Sequence, residues 1–107
     1  MPGIIQIDDI NQSQALMGNN DEHLKTIEDN FDVVIHARGQ EIAVKGEKLE
    51  HVEKAELVLT NLLKVIELGN TITLKDVEAA IKMADNDTIQ HLLDLYDEEI
   101  TKDAFGK

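Results

Sequence analysis

The sequence has 107 residues, no cysteine, and 22 acidic against 10 basic residues, which gives a formal net charge of −12. A chain of this length can bury a small apolar core as one domain, and without cysteine it has no disulfide or thiolate chemistry. The acidic balance opposes binding of polyanions, and no apolar run reaches the roughly 18 residues of a membrane span or resembles a secretion signal. We therefore expect a cytoplasmic protein without membrane contact.

The first third of the chain predicts a strand and two helices that flank a glycine-bearing turn. Ile5 and Ile7 alternate with polar residues, as in a half-buried strand. A short helical turn follows, which Ser13 can cap and Gly18 can end. Asp21 can cap the next helix. The apolar stripe of that helix consists of Leu24, Ile27 and Phe31.

The segment VVIHARGQEIAVKG has the clearest pattern in the sequence. If Gly39 and Gln40 form a two-residue turn, one face of the resulting hairpin is entirely apolar. That face consists of Val33, Ile35, Ala37, Ile42 and Val44. The opposite face pairs Arg38 with Glu41, His36 with Ala43, and Val34 with Lys45. A slip of one residue would mix the two faces, so the pattern also predicts the register of the hairpin.

Three helices are predicted after the hairpin. The first runs roughly from Glu47 to Leu68, and its main apolar face consists of Leu49, Val52, Ala55, Leu59, Leu62 and Ile66, widened by Val58 and Leu63. Outside this face lie Leu57, Val65 and Leu68. The second helix is capped by Thr73 and has an apolar stripe of Leu74, Val77, Ala80, Ile81 and Ala84. The last, short helix carries Ile89, Leu92, Leu93 and Tyr96 on one side, and residues 97–107 resemble a linker or tail.

The chain contains no constellation of residues that is typical of an enzyme. The histidines, which are His23, His36, His51 and His91, occur in different predicted elements, and none has a partner at metal-ligand spacing. We interpret each as an ordinary surface or boundary residue. The terminal FGK lacks the glycine that a phosphate-binding P-loop requires five residues before Gly106, where Thr101 stands. We therefore expect no catalytic, cofactor or metal site in these residues.

The order of the predicted elements resembles the KH module, in which a GxxG loop between two helices clamps a single-stranded nucleic-acid backbone. The segments LMGNNDEHLKTIEDNF, VVIHARGQEIAVKGE and LLKVIELGNTITLKDVEAAIKMA also resemble the N-terminal region of PhoH-family ATPases. The expected fold is therefore α+β and KH-like: a three-stranded antiparallel sheet, packed on one face by helices, with additional C-terminal helices. The resemblance implies that Glu41–Lys45 is the central strand.

The family resemblance also implies a domain organisation. Residues 1–84 would form the KH-like domain, and residues 85–107 an acidic helical segment and linker toward a P-loop ATPase domain outside these residues. That domain would bind ATP and Mg, so that the chain itself would not be an enzyme. The family is connected with RNA metabolism and phosphate-starvation responses, which this chain would share as part of a longer protein.

The segment Gly18-Asn19-Asn20-Asp21 lies where the KH module has its GxxG loop. In that loop both outer residues are glycine, because the nucleic-acid backbone must approach closely. Here the carboxylate of Asp21 would repel a phosphate and compete with it for the N–H groups of the following helix. We therefore interpret the segment as the end of one helix and the start of the next, and keep Gly18, Asn19 and Asn20 as candidate contact residues.

Two functional hypotheses of different classes follow. In the first, the chain is a non-catalytic accessory module that regulates the ATPase or guides RNA, with the exposed hairpin face around Val34, His36, Arg38 and Lys45 as its contact surface. Arg38 is the single arginine of the chain, and a cross-strand pair with Glu41 would explain it structurally. In the second, the chain is a protein-interaction or oligomerisation module that binds no nucleic acid. The acidic balance favours the second hypothesis.

The last apolar stripe, which consists of Ile89, Leu92, Leu93 and Tyr96, must be covered, because an exposed apolar helix face is costly and prone to association. It can fold back on Leu57, Val65 and Leu68 of the long helix. Alternatively, it can dock on the ATPase domain or on a second copy of the chain. Its position beside the expected inter-domain linker favours docking on the ATPase domain.

Overall fold

The computed structural model describes residues 3–92. Its strands are β1 (Gly3–Gln6), β2 (Val34–Arg38) and β3 (Glu41–Lys45), and its α-helices are α1 (Ile10–Met17), α2 (Glu22–Phe31), α3 (Leu49–Glu67) and α4 (Leu74–Asp85). Two 3₁₀ turns, Asn19–Asp21 and Ile89–His91, follow α1 and α4. None of the helices in this part of the chain has the length and apolar character that a membrane crossing requires.

The sheet is antiparallel and has the strand order β1-β3-β2, so that β3 is central as predicted. The predicted hairpin register is confirmed: Ile35 lies opposite Val44, and Ala37 lies opposite Ile42. On the other side of β3, Ile5 lies opposite Ile42. This register follows from the apolar pattern, because a shift of one residue would expose the whole inner face to water.

Helices α2 and α3 pack on the sheet, α1 and α4 pack on these two helices, and the predicted α+β fold with a three-stranded antiparallel sheet is confirmed. α3 is the central helix and contacts α1, α2, α4 and the sheet. The residues at the middle of the core are fully buried, and they are Leu16, Ile27, Ile42, Val44, Val52, Leu59, Leu62 and Val65. Thr73 precedes α4 and forms the expected cap, with its N–H donating to the Asp76 carboxylate at 2.7 Å.

Two residues assigned to the buried side are exposed. Leu49 is the first residue of α3 and lies one turn before Val52, which packs closely on the chain at Gly46. Leu49 is 55% exposed. Ala37 has the predicted register but lies on the edge strand beside the hairpin turn, where no helix covers it in the described structure. The apolar pattern assigned both residues to the correct face of their element, but it did not predict that these two positions at the ends of the elements are exposed.

The start of α1 also differs from the prediction. The helix begins one turn earlier than expected, because the Asp9 side chain accepts a hydrogen bond from the Asn11 N–H at 2.8 Å. Ser13 therefore does not cap the helix. It is buried within α1, and its hydroxyl donates to the Gly39 carbonyl at 3.2 Å, which ties the helix to the hairpin turn.

The chain reverses direction after α4. Asp87 has a left-handed conformation with φ +58°, and the Thr88 N–H donates to the Met83 carbonyl at 2.7 Å. This turn places Ile89 and Leu92 against α3 and α4, where they are 5% and 1% exposed. Both residues thus belong to the core, as in the fold-back alternative, and they are not available for the docking that the sequence favoured.

The other two residues of that stripe, Leu93 and Tyr96, lie outside the described residues. The proposed division of the chain between residues 84 and 85 stays a prediction. Leu57 on α3 and Leu68 directly after α3 remain exposed, whereas Val65 is buried, so only part of the predicted second face is covered.

Candidate functional site

The loop between α1 and α2 depends on a glycine at its first position. Gly18 has φ +79° and ψ −178°, a combination that is nearly restricted to glycine, and it ends α1 as predicted. A Cβ atom at this position would lie 2.8 Å from three ring atoms of His23. Gly18 is therefore required both by its backbone conformation and by the side chain that packs on it.

His23 is buried, with 3% of its surface exposed, whereas the sequence predicted an ordinary surface or boundary residue. Its Nδ1 atom lies 3.0 Å from the Leu16 carbonyl oxygen. Because a carbonyl can only accept, Nδ1 must carry the hydrogen and donate it. This bond links α2 to the last turn of α1 and fixes the loop between them. The sequence feature that could have indicated the burial of His23 is its short distance along the chain from the glycine turn.

The other end of the loop differs from the prediction. Asn20 and Asp21 both have left-handed conformations, with φ +52° and +60°. Asp21 makes no side-chain hydrogen bond to the start of α2, so the predicted cap is wrong. The physical reason is the backbone, because a capping side chain is normally held by an extended residue. Asp21 instead occupies a conformation that suits the second glycine of a GxxG loop.

The loop forms one wall of a groove of about 610 Å³, whose other wall is the segment 71–74 before α4. Gly18, Asn19 and Asn20 line this groove together with Gln14, Ala15, Glu22, His23, Thr71, Ile72, Thr73 and Leu74. The lining includes no lysine or arginine, and its single formal charge is the carboxylate of Glu22. A nucleic-acid phosphate would therefore find no cation here.

The second candidate surface is the outer sheet face, which we define as Ile4, Gln6, Val34, His36, Arg38, Glu41, Ala43 and Lys45. The register aligns these residues in rows across the three strands, with Ala43 between Ile4 and His36. Ile4 and Val34 are the large apolar residues of this face, and they are 61% and 50% exposed. Strand alternation explains their position, since the residues between them point into the core.

Arg38 does not form the predicted ion pair. Glu41 is its cross-strand neighbour, but the Glu41 carboxylate accepts a hydrogen bond from Gln6 Nε2 at 3.3 Å. Within residues 3–92 neither Arg38 nor Lys45 takes part in a salt bridge. Arg38 lies between two shallow depressions of about 390 and 470 Å³, and the larger also contains His36, Lys45, Ala37, Glu41 and Ala43.

The structure therefore gathers His36, Arg38 and Lys45 at one depression, and Gly18, Asn19 and Asn20 at another. No residue lines both.

The free edge of β2 is partly closed, because Glu28 on α2 accepts a hydrogen bond from the Ile35 N–H at 2.7 Å. In the part of the chain that the structure describes, no group of three or more histidine, aspartate or glutamate side chains has the arrangement of a metal site.

Comparison with known proteins finds similarity to a PhoH-like protein of Bacillus subtilis (strain 168), with 38% identity over 96 residues. The match covers 90% of this chain but 30% of the relative, so the chain spans less than a third of the length of that protein. No family model and no solved structure matches the chain.

Proposed function

We propose an accessory function for this chain, which belongs to the PhoH family. In this proposal it is the non-catalytic N-terminal module of a longer ATP-binding protein, and it regulates or guides the ATPase in RNA metabolism. ATP and Mg bind to the other part of that protein.

The observation that carries the proposal is the unequal coverage of the match. Nearly the whole chain aligns, yet 70% of the PhoH-like relative lies outside the alignment. The described surface contains depressions but no arrangement of nucleophile, base and orienting group that would support a reaction. A module with a buried apolar core and exposed surface faces is suited to contact the catalytic part of a longer protein rather than to carry out catalysis itself.

The gene provides the first test. We expect the codons after Lys107 to encode the motif GxxxxGK[ST] within the next few dozen residues. We also expect calorimetry to detect ATP binding by the longer product in the presence of Mg, and none by residues 1–107. Micromolar ATP binding by the 107-residue chain, or no such motif downstream, would contradict the proposal.

The second candidate function is a protein-interaction or oligomerisation module without nucleic-acid binding. It is favoured by the groove beside Gly18, whose lining offers no lysine or arginine to a phosphate. A titration with single-stranded RNA at rising salt distinguishes the two. Binding through phosphates must weaken as salt increases, whereas a pure protein-interaction module shows no binding even at low salt.

A further inference from the structure

We propose that the outer sheet face is the surface on which the remaining part of the longer PhoH-like protein docks, through exposed apolar side chains and through the cations of Arg38 and Lys45, which acidic side chains of the partner would complement. This inference rests on the proposed function. It assigns the interdomain contact to the sheet instead of to the C-terminal stripe that the sequence favoured.

Exposed apolar side chains lie on both edge strands of the outer sheet face. Ile4 on β1 lies opposite Ala43 of the central strand, and Val34 on β2 lies opposite Lys45, diagonal to Ala43. Ala43 lines the depression that also contains His36 and Lys45. Apolar side chains with a polar rim are the arrangement found at protein interfaces, where large exposed residues fill the partner's surface.

The charged side chains of the outer sheet face also favour a protein partner. The larger depression brings together the cations of Arg38 and Lys45 with a single carboxylate, that of Glu41, which is held by Gln6. This is a local excess of positive charge on a chain whose formal net charge is −12. Asp8 lies beyond it, at the smaller depression on the other side of Arg38. An acidic rim on the partner would complement the two cations and set its orientation.

Other occupants fit this face less well. A single-stranded nucleic acid uses aromatic side chains for base stacking, and the outer sheet face contains no phenylalanine, tyrosine or tryptophan. In a symmetric contact between two copies, Arg38 and Lys45 of each chain would face the same cations of the other, and these charges would repel. The length of the PhoH-like relative outside the alignment supplies a protein occupant on the same polypeptide.

Two other routes for docking are less open in this structure. Ile89 and Leu92 are buried against α3 and α4. Strand addition at β2 is obstructed, because Glu28 already accepts a hydrogen bond from the Ile35 N–H. The partner therefore contacts the outer sheet face rather than the β2 edge of the sheet.

The experiment compares the alkylation rates of two introduced cysteines. The chain has no cysteine, and Val34 and Leu57 are similarly exposed, at 50% and 46%. Val34→Cys reports on the outer sheet face, and Leu57→Cys on α3 is the matched control. Each variant is made in the 107-residue chain and in the longer product of the gene, and labelling is quantified by mass spectrometry of the peptide concerned.

We expect Val34→Cys to react about tenfold more slowly in the longer protein than in the 107-residue chain, which corresponds to a docking free energy of about 1.4 kcal/mol. Leu57→Cys should react equally fast in both. Adding Arg38→Glu and Lys45→Glu should restore fast labelling of Val34→Cys, because the charges across the interface then repel. Equal labelling of Val34→Cys in the two proteins would overturn the proposal.

Two further results would also overturn it. One is protection of Val34→Cys in the 107-residue chain that increases with protein concentration, which identifies a second copy as the occupant. The other is protection that appears only after a single-stranded RNA oligonucleotide is added. If Val34→Cys alters the circular dichroism spectrum, hydrogen exchange of β2 and β3 in the unmodified proteins replaces labelling, with slower exchange expected in the longer protein.

ATP binding separates this inference from the proposed function. If the longer product binds ATP and Val34→Cys is labelled equally fast in both proteins, only the docking inference is wrong. If the longer product binds no ATP, the proposed function fails, and the assignment of the docking partner fails with it.

Discussion

Substituting Gly18 by alanine tests whether the α1–α2 loop is held by the contact between Gly18 and His23. At φ +79° and ψ −178°, a residue with a Cβ atom is destabilised by about 1–3 kcal/mol through its backbone alone. The new Cβ atom would also lie 2.8 Å from the His23 ring, and such overpacking adds about 1–3 kcal/mol. We therefore expect Gly18→Ala to lower the free energy of unfolding by roughly 2–6 kcal/mol, a large share of the total for a small domain.

The assay is urea denaturation monitored by circular dichroism. The control is a glycine substitution that has only the backbone effect. Gly39 has φ +59° and no heavy atom within 4 Å of an added Cβ, so Gly39→Ala should cost about 1–2 kcal/mol. A double-mutant cycle isolates the contact, because Gly18→Ala should cost less when His23 is already alanine. Either of two results would refute the role of the Gly18–His23 contact. One is a loss of unfolding free energy for Gly18→Ala that is no larger than that for Gly39→Ala. The other is a loss that is the same with and without the His23 ring.

Three further predictions can be tested by the same denaturation assay. Leu92→Ala should destabilise the 107-residue chain by about 2–5 kcal/mol because Leu92 is 1% exposed, while Leu57→Ala should change stability by less than about 0.5 kcal/mol; similar values for both would contradict the burial of Leu92. Glu28→Ala should cost about 1.5–3 kcal/mol, because it leaves the Ile35 N–H without its charged acceptor, and a neutral result would show that this bond contributes nothing. Asp21→Gly should be neutral or stabilising by up to about 1 kcal/mol, since glycine relieves the left-handed backbone and no cap is lost; a loss above that amount would show that Asp21 does cap α2.

The sheet register and the strand order could be predicted because they depend on a local pattern. Apolar residues on alternate positions of two strands joined by a two-residue turn admit one register, and the structure has it. The exposure of Leu49 and Ala37 could not be obtained in the same way. Periodicity identifies which face of an element is apolar, but the extent of the layer that covers it is a property of the tertiary structure.

The candidate site shows the same division between local and tertiary information. The position of the α1–α2 loop and the end of α1 at Gly18 followed from the sequence. The burial of His23 did not, because it depends on how α2 crosses α1. The conformation of Asp21 was also inaccessible, since an aspartate before a helix is usually an extended cap, and here the turn imposes a left-handed backbone instead.

The fold itself indicates why contacts to the rest of a larger protein should be made at the sheet. Its inner face is covered by α2 and α3, on which α1 and α4 pack, and the turn after α4 adds Ile89 and Leu92 to the same core. A partner can therefore reach the central strand β3 only from outside, where Ala43 lies between residues of the two edge strands. There, removing the charges of Arg38 and Lys45 should weaken docking mainly at low salt, because exposed charges are screened within about 10 Å at 0.1 M ionic strength. The apolar contribution of Ile4 and Val34 should persist at high salt, so the salt dependence of docking separates the two parts of the interface.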